Sequence, residues 1–369
     1  MIRIQQVNSK HLQKLFFTFP ITLYKESPYY VPFLLSDEKS TFNPKKNSAF
    51  EHFEVKAYLA FYGKEVVGRV AALFNKKSKS KTLRFSRFDV INDFSVTQKL
   101  FEEIIKWAKE LQVEEIIGPL GFSNLDQMGL LVEGFDQMGT FITIYNYPYY
   151  KYHLEKLGFI KDKDWVEFKI ITPKELDTRL ERICDIAQKK GNYFLLKPKT
   201  KKEVLPYAYS MFEIYNTSFA DFYQFTPLSE KQIKATIKQF FSVIRLDYLF
   251  IVVDNNKKAV GFGIMVPSLS EALRKNRGRL VPFGFIPILK ALKNPTVLDM
   301  YLVAVDPNYL ASGVTPLIMK EAIKRAIANG IEYAETGPEL EDNKNIQAMW
   351  KSFETTQHKR RRAYKLTLS

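Results

Sequence analysis

Ala57-Tyr-Leu-Ala-Phe-Tyr-Gly-Lys-Glu-Val-Val-Gly-Arg-Val-Ala-Ala-Leu73 reads as two β-rich runs joined by a polar turn at Gly63 and Lys64, with a Val-Gly step just after the turn. Leu249-Phe-Ile-Val-Val-Asp-Asn-Asn-Lys-Lys-Ala-Val-Gly-Phe-Gly-Ile-Met265 has the same plan. A pattern that recurs constrains a fold more firmly than one window can, and the flanks of these two hairpins agree as well.

Each hairpin is followed, after a further strand, by an amphipathic helix. In the first half Ser95 and Gln98 have capping-box spacing, and Val96, Leu100, Phe101, Ile104, Ile105, Ala108 and Leu111 recur every three to four residues. In the second half Val314, Leu317, Ile318, Ala322, Ile323, Ala326 and Ile327 do so, with Pro316 in the first turn and Gly330 placed to stop the helix. Matching short strands follow, Val113-Glu-Glu-Ile-Ile-Gly-Pro119 and Ile331-Glu-Tyr-Ala-Glu-Thr-Gly-Pro338. Each strand–helix–strand step demands a right-handed crossover and a locally parallel pair. Tyr152 to Phe159 then leads to a strand at Trp165–Ile170, and Ile346 to Phe353 leads to one at Arg362–Leu368.

Two mixed α/β units are therefore expected, each a mostly antiparallel sheet flanked by helices. Residues 1–172 form the first and 201–369 the second. A connection at 173–200 holds a helix from about Glu175 to Lys190, Gly191, and the basic stretch beginning at Lys197. A chain of 369 residues suits two domains.

Composition excludes other classes. Hydrophobic residues at 46% and charged residues at 26% are ordinary globular values, so a disordered chain is not expected. The single cysteine, Cys184, and four scattered histidines provide no ligand spacing, so no metal centre is expected. The N-terminus lacks an apolar signal core, and no apolar run approaches the ~18 residues of a membrane span, so the expected location is cytoplasmic and no membrane partner is expected. Leu280 to Leu292 is the longest apolar stretch; Pro282, Gly284 and Pro287 interrupt it, and it reads as a kinked buried or interfacial segment. A net charge of +15 favours anionic partners without choosing among them.

The order of elements resembles the GNAT superfamily of acyl-CoA-dependent N-acyltransferases, present in tandem over most of the chain. Asn47-Ser-Ala-Phe-Glu-His52, Val67-Gly-Arg-Val-Ala-Ala72, Gly129-Leu-Leu-Val-Glu-Gly-Phe135, Tyr145-Asn-Tyr-Pro-Tyr-Tyr150 and Leu340-Glu-Asp-Asn343 are similar to a bacterial GNAT-like family of largely unassigned substrate. The resemblance implies acetyl-CoA or another acyl-CoA as cofactor. In the superfamily a loop runs from a strand into a helix and offers its backbone N–H groups to the cofactor pyrophosphate. The matching segment here is Val303-Ala-Val-Asp-Pro-Asn-Tyr-Leu-Ala-Ser-Gly-Val-Thr315. By that match Val303 and Val305 accompany the pantetheine arm, while Leu310, Ala311, Ser312, Gly313, Val314 and Thr315 surround the phosphates. Leu310, Ala311 and Thr315 depart from the usual Arg/Gln-x-x-Gly-x-Gly/Ala pattern, and Ser312 offers a hydroxyl instead. Asn343, after the second Gly-Pro, is placed to touch cofactor or acceptor; a helix cap explains it equally well.

The first half lacks the glycines of that loop: Phe88-Asp-Val-Ile-Asn-Asp-Phe-Ser-Val-Thr97 puts Asp89 and Asp93 where an anion would sit, so coenzyme A is not expected there. Gly121 to Gly129 reads as a surface loop or as one wall of an acceptor groove.

Acyl transfer to nitrogen needs a neutral amine, a polarised carbonyl and a proton for the thiolate. On the strand Leu298 to Val305, alternation puts Asp299, Tyr301, Val303 and Val305 on one face. Asp299 is the first candidate base and Glu335 the second. The superfamily's frequent acid, a tyrosine early in the last helix, is missing near Lys351 to Phe353 and near Leu154. Tyr301 or Tyr333 would replace it. His358-Lys-Arg-Arg-Arg362 reads as a solvated strand edge, or as an anion site. The expected function is acyl, most simply acetyl, transfer to a small-molecule or peptide amine. The alternatives are a non-catalytic GNAT-like binding module and a Fem-type aminoacyl transferase, the one reading in which transfer RNA is a partner.

Overall fold

A computed structural model of the chain describes every residue except 79, 192, 311 and 369, and the backbone alone at 239, 240, 242 and 243. The first half comprises β1 (Ile2–Gln6), α1 (Lys10–Leu23), α2 (Leu35–Thr41), β2 (Phe53–Tyr62), β3 (Glu65–Asn75), β4 (Thr82–Val90), α3 (Phe94–Glu110), β5 (Glu115–Gly118), β6 (Leu130–Glu133), α4 (Tyr149–Lys156) and β7 (Ile160–Ile171). The connection holds α5 (Thr178–Gly191) and β8 (Phe194–Leu195). The second half comprises α6 (Lys201–Ser218), α7 (Glu230–Val243), β9 (Leu249–Val253), β10 (Ala259–Pro267), α8 (Ser270–Asn276), α9 (Phe285–Lys293), β11 (Val297–Val305), α10 (Val314–Ala328), β12 (Tyr333–Thr336), β13 (Glu339–Leu340), α11 (Lys344–Trp350) and β14 (Thr355–Thr367).

Both hairpins form where the sequence puts them. Gly63 takes φ +56°, which suits a residue without Cβ, and turns β2 into β3. Both crossovers give parallel pairs, β4 with β5 and β11 with β12. Helix α3 buries Val96, Leu100, Phe101, Ile104 and Ala108 as the periodicity requires, yet its cap is Asp93 rather than Ser95. Asp93 accepts the Ser95 N–H at 2.9 Å, so the helix begins earlier than a Ser95 capping box allows.

One mixed sheet runs β1-β2-β3-β4-β5-β14-β7-β12-β11-β10-β9-β8. Its centre is an exchange. β7, the last strand of the first half, lies beside β12, and β14, the last strand of the second, lies beside β5. β7 and β14 pair with each other from Ile160–Lys365 to Ile170–Thr355, so each half completes its sheet with the other's final strand. The run His358–Arg362 consequently belongs to β14 and is not a solvated edge. Lys359 and Arg361 are buried between neighbouring strands, because β7 presents Asp164 and Glu167 to meet the basic side chains.

The halves differ most in two connections. Six residues, 76–81, join β3 to β4, whereas the link from β10 to β11 carries the extra helices α8 and α9. Conversely the first half has a long excursion between β5 and α4. Its segment Gly121–Gly129 is half-buried against the second half: the Asn124 amide donates to the Tyr223 carbonyl at 3.3 Å, and Leu125 packs with the core on α6. No helix among the described residues is long and apolar enough to cross a membrane.

Candidate functional site

The geometry that matters is a fork in the sheet. β11 pairs with β12 only from Val297–Tyr333 to Met300–Thr336. The chain after β12 then turns away, and the Gly337 N–H donates to the Met300 carbonyl at 3.2 Å. Among the described residues the edge of β11 beyond Met300 faces no neighbouring strand, and at its far end the Ser218 hydroxyl donates to the Val305 carbonyl at 2.8 Å. A β-bulge lies at the fork: Met300 opposes Met265 and Leu302 opposes Ile264, leaving Tyr301 as the extra residue. A bulge re-aims the side chains that follow it. The alternation expected from the sequence is therefore broken. Val305 packs on α10 beside Val314 and Ile318, whereas Asp299 lies opposite Val266, whose cluster with Leu302 and Ala304 covers α6 and takes in Tyr301 at its margin.

Asp299 heads a row of ionisable groups across the middle of the sheet. Its parallel neighbour is Glu335, which accepts from the Lys359 ammonium at 2.8 Å. That ammonium is also 3.7 Å from Glu167, whose other oxygen is held by the Arg361 guanidinium; Arg361 in turn donates to the Ile144 carbonyl. Burial alone would raise Glu167, but Arg361 and Lys359 outweigh it and hold the carboxyl low. His358 stands 3.7 Å from Glu335, and burial, aided by Lys359, pushes it down to about 3, so its ring is neutral.

Lys359 and Arg361 thus balance Glu335 and Glu167, and Asp299 is left over. Neither of its oxygens accepts a well-formed hydrogen bond among the described residues, although the Ser268 hydroxyl lies close enough to favour the ionised carboxylate. Burial and the charge of Glu335 push its carboxyl up to about 8, against the pull of Lys359 and of the Ser268 hydroxyl. A carboxyl that exchanges its proton near neutrality is the kind of group that can relieve an amine of one. Burial and Asp126 raise the Tyr301 hydroxyl, which keeps its proton. Tyr333 is half-buried under the Lys169 ammonium, 3.9 Å from its ring centre.

The loop entering α10 is shared between the chain and any ligand. The Ser312 N–H and hydroxyl both go to the Tyr309 carbonyl, at 3.1 and 2.6 Å, so the hydroxyl proton expected to reach a phosphate is already used. Leu310 is exposed, and Ala311 lies outside the described residues. Gly313 takes φ +92°, and a Cβ there would collide with Ala187 of α5, which packs against the loop. Among the described residues the N–H groups of Gly313, Val314 and Thr315 meet no acceptor. These amides and the unpaired edge of β11 fit the diphosphate and the amide-bearing arm of an acyl-CoA. Asn343 caps α11, accepting the Ile346 N–H at 3.4 Å.

The corresponding place in the first half is filled by the chain itself. The Asp93 carboxylate takes the Ser95 N–H and hydroxyl and the Tyr62 hydroxyl at the start of α3. At the end of β4 the Tyr150 hydroxyl accepts the Val90 N–H at 2.9 Å, and the Tyr149 hydroxyl donates to the Val90 carbonyl at 2.7 Å. Asp89 is paired with the buried Arg69 at 2.6 Å.

Sequence reasoning missed Glu167, His358, Lys359 and Arg361 as parts of one cluster. The signal was a pair of strands with opposite charges at facing positions, legible only once their pairing is known.

No family model matches the chain. It is 26% identical to protein YghO of Escherichia coli K12 over 370 residues, spanning 96% of this chain and 93% of that one. It is 25% identical over 368 residues to the bacterial ceramide synthase of Caulobacter vibrioides, spanning 96% and 94%. Among solved structures, a tandem GNAT protein from the clavulanic acid biosynthesis pathway superposes with a TM-score of 0.58 at 10% identity, over 100% of this chain and 98% of its own. A GCN5-related N-acetyltransferase from Anabaena variabilis gives 0.51 at 9%, over 100% of this chain and 73% of its own. The forked sheets, their parallel crossovers and these superpositions agree that the chain has a tandem GNAT-like fold.

Proposed function

We propose that the protein is an acyl-CoA-dependent N-acyltransferase that works in its second half and acts on an amine carrying a long chain. The observation that carries the reading is Asp299, a buried carboxyl with no ion-pair partner and no well-formed hydrogen bond among the described residues, poised at about 8 beside the fork. The ceramide synthase similarity supports the acceptor class, since a ceramide is an amide of a long-chain amine. It also favours a long acyl chain over the acetyl group expected from the sequence. The partly buried apolar side chains that pack beside Tyr301, among them Leu125, Phe141 and Phe219, are of the kind such chains would meet.

Bound at the fork, the thioester supplies the acyl carbon: a C–N bond forms as the C–S bond breaks, and the departing sulfur takes a proton. Asp299 accepts the proton that the ammonium must lose before nitrogen can attack. Tyr301, with its proton retained, stands next to the same fork as the donor. The N–H groups of Gly313, Val314 and Thr315, which meet no acceptor among the described residues, hold the diphosphate end.

The test follows thiol release from acyl-CoAs of increasing chain length with a long-chain amino alcohol as acceptor. Asp299→Asn is expected to lower kcat by about 10²–10⁴-fold and to remove the rising limb of the pH–rate profile, with acyl-CoA still raising Tm. No thiol release from the wild type, together with no Tm shift at millimolar acyl-CoA, would overturn the reading in favour of a non-catalytic module.

A further inference from the structure

The extra connection between β10 and β11 displays apolar side chains to solvent. Val281 is 82% exposed, Phe283 71%, Leu289 58%, Ile286 53% and Phe285 46%. On α9 the exposed Phe285, Ile286 and Leu289 share one face by helical spacing, while Ile288 on the adjoining face is buried with Val31, Leu269 and Leu273. The protrusion is firmly based: the Leu35 N–H donates to the Gly278 carbonyl at 3.0 Å, and a Cβ on Gly278 would collide with the Phe33 carbonyl.

Along the segment itself charge carries one sign; in space the Arg245–Asp247 pair adjoins the end of α9, where Arg245 donates to the Leu292 and Lys293 carbonyls. From Ala272 to Thr296 the sequence contains Arg274, Lys275, Arg277, Arg279, Lys290 and Lys293 and no carboxylate. All but Arg274 are exposed, and Glu271, just outside, is taken by Lys275 at 3.4 Å. At nine residues α9 is ~14 Å long, far short of a ~30 Å hydrocarbon core, so the geometry is that of an element lying in an interface.

We infer that the turn Val281–Gly284 and α9 seat the protein on an anionic lipid bilayer, with Val281, Phe283, Phe285, Ile286 and Leu289 in the acyl boundary and the flanking cations among the headgroups. A protein partner would need no uninterrupted basic frame, whereas an anionic membrane surface rewards each Lys or Arg near it. Phe141 packs both with the cluster beneath α9 and with the cluster at Tyr301, so apolar contact is continuous from the bilayer face to the fork. The seating stands on the patch and its charges, independently of the reaction proposed above.

The experiment is sedimentation of the full chain with vesicles of phosphatidylglycerol and phosphatidylcholine, and with phosphatidylcholine alone. The wild type is expected to pellet with the anionic vesicles and to be released by salt. Phe283→Ser/Phe285→Ser/Ile286→Ser and, separately, Arg277→Glu/Arg279→Glu should each weaken binding at least about tenfold, with Tm unchanged because every altered side chain is exposed. In Phe283→Trp, the new indole should shift its emission to the blue and be quenched by brominated lipid only when anionic vesicles are present. Wild type remaining in the supernatant at low salt overturns the inference, as does equal binding to phosphatidylcholine. Self-association that the triple variant abolishes, with no vesicle binding, also overturns it and assigns the patch to a second copy of the chain.

Discussion

The two halves share a frame and differ in what occupies its fork. β4 leaves β5 after Arg84–Ile117, much as β11 leaves β12 after Met300–Thr336. In the first half Tyr149 and Tyr150 bond the Val90 backbone, Asp93 caps α3, and the buried Arg87 is held by Glu38 and Asp126. In the second half the strand edge meets no neighbouring strand among the described residues, and a glycine at positive φ precedes the helix. The fold does not require its fork to hold a ligand; a few tyrosines and a carboxylate fill it equally well. What the filled half contributes is support, through β7, which pairs with β12 and β14, and through the segment Gly121–Gly129 that reaches the other half.

The exchange predicts the largest effect. Arg361 is fully buried, and Arg361→Met would leave Glu167 with the Lys359 ammonium at 3.7 Å as its one ion-pair partner among the described residues. Removing one partner of a buried ion pair costs about 3–5 kcal/mol. Because each half depends on the other's last strand, urea unfolding of the wild type should show one transition by both circular dichroism and tryptophan fluorescence, and the variant's midpoint should fall as one. Two separated transitions would mean that the halves hold together less tightly than β7 and β14 require.

Much of the frame was legible in the sequence because it is local. Hairpins at Gly63 and at Asp254–Lys258, the faces of α3 and α10, and the two Gly-Pro stops all follow from spacing within short windows. The exchange was not legible, because which strand pairs with β5 is decided hundreds of residues away, and Arg362–Leu368 as a strand says nothing of its neighbour. The bulge at Tyr301 was hidden for a related reason: nothing in Leu298–Val305 marks an extra residue until β10 is laid beside it. Ser312 misled because its hydroxyl found the Tyr309 carbonyl three residues back, a local competition that a ligand-centred reading passes over. Leu280–Leu292 is apolar on paper whether or not anything covers it, and only the packing of Ile288 tells the two faces apart.

A second prediction concerns the charge left over at the open fork. Folding raises the Asp299 carboxyl to about 8 from an ordinary value near 3.8. The folded chain therefore binds a proton that the unfolded chain releases, and stability contributed in this way is complete below pH ~4 and is lost as pH rises through 8, at up to about 1.4 kcal/mol per pH unit. Asp299→Asn should flatten that slope, so that the variant gains on the wild type between pH 5 and pH 8 in urea melts. An unchanged slope would show that Asp299 is ionised in the folded protein, which removes its fitness as a base tuned to neutral pH.

The smallest effect lies in the filled half. Asp93 caps α3, and Asp93→Ala should cost about 1 kcal/mol at neutral pH. Ser95 and Tyr62 hold this carboxyl below its ordinary value, so the cap's contribution is present above pH ~4 and disappears as acid protonates it; the melts of variant and wild type should converge at low pH. The same substitution also tests the comparison itself, since it uncovers the Ser95 amide that Asp93 occupies. In a Gly313→Trp background, where the second half's loop is blocked, Asp93→Ala should create no Tm shift with acyl-CoA. The Val90 backbone remains bonded to Tyr149 and Tyr150, so an arm reaching along β4 would have no free edge to meet. If a shift did appear, one carboxylate would be all that separates the filled fork from the open one.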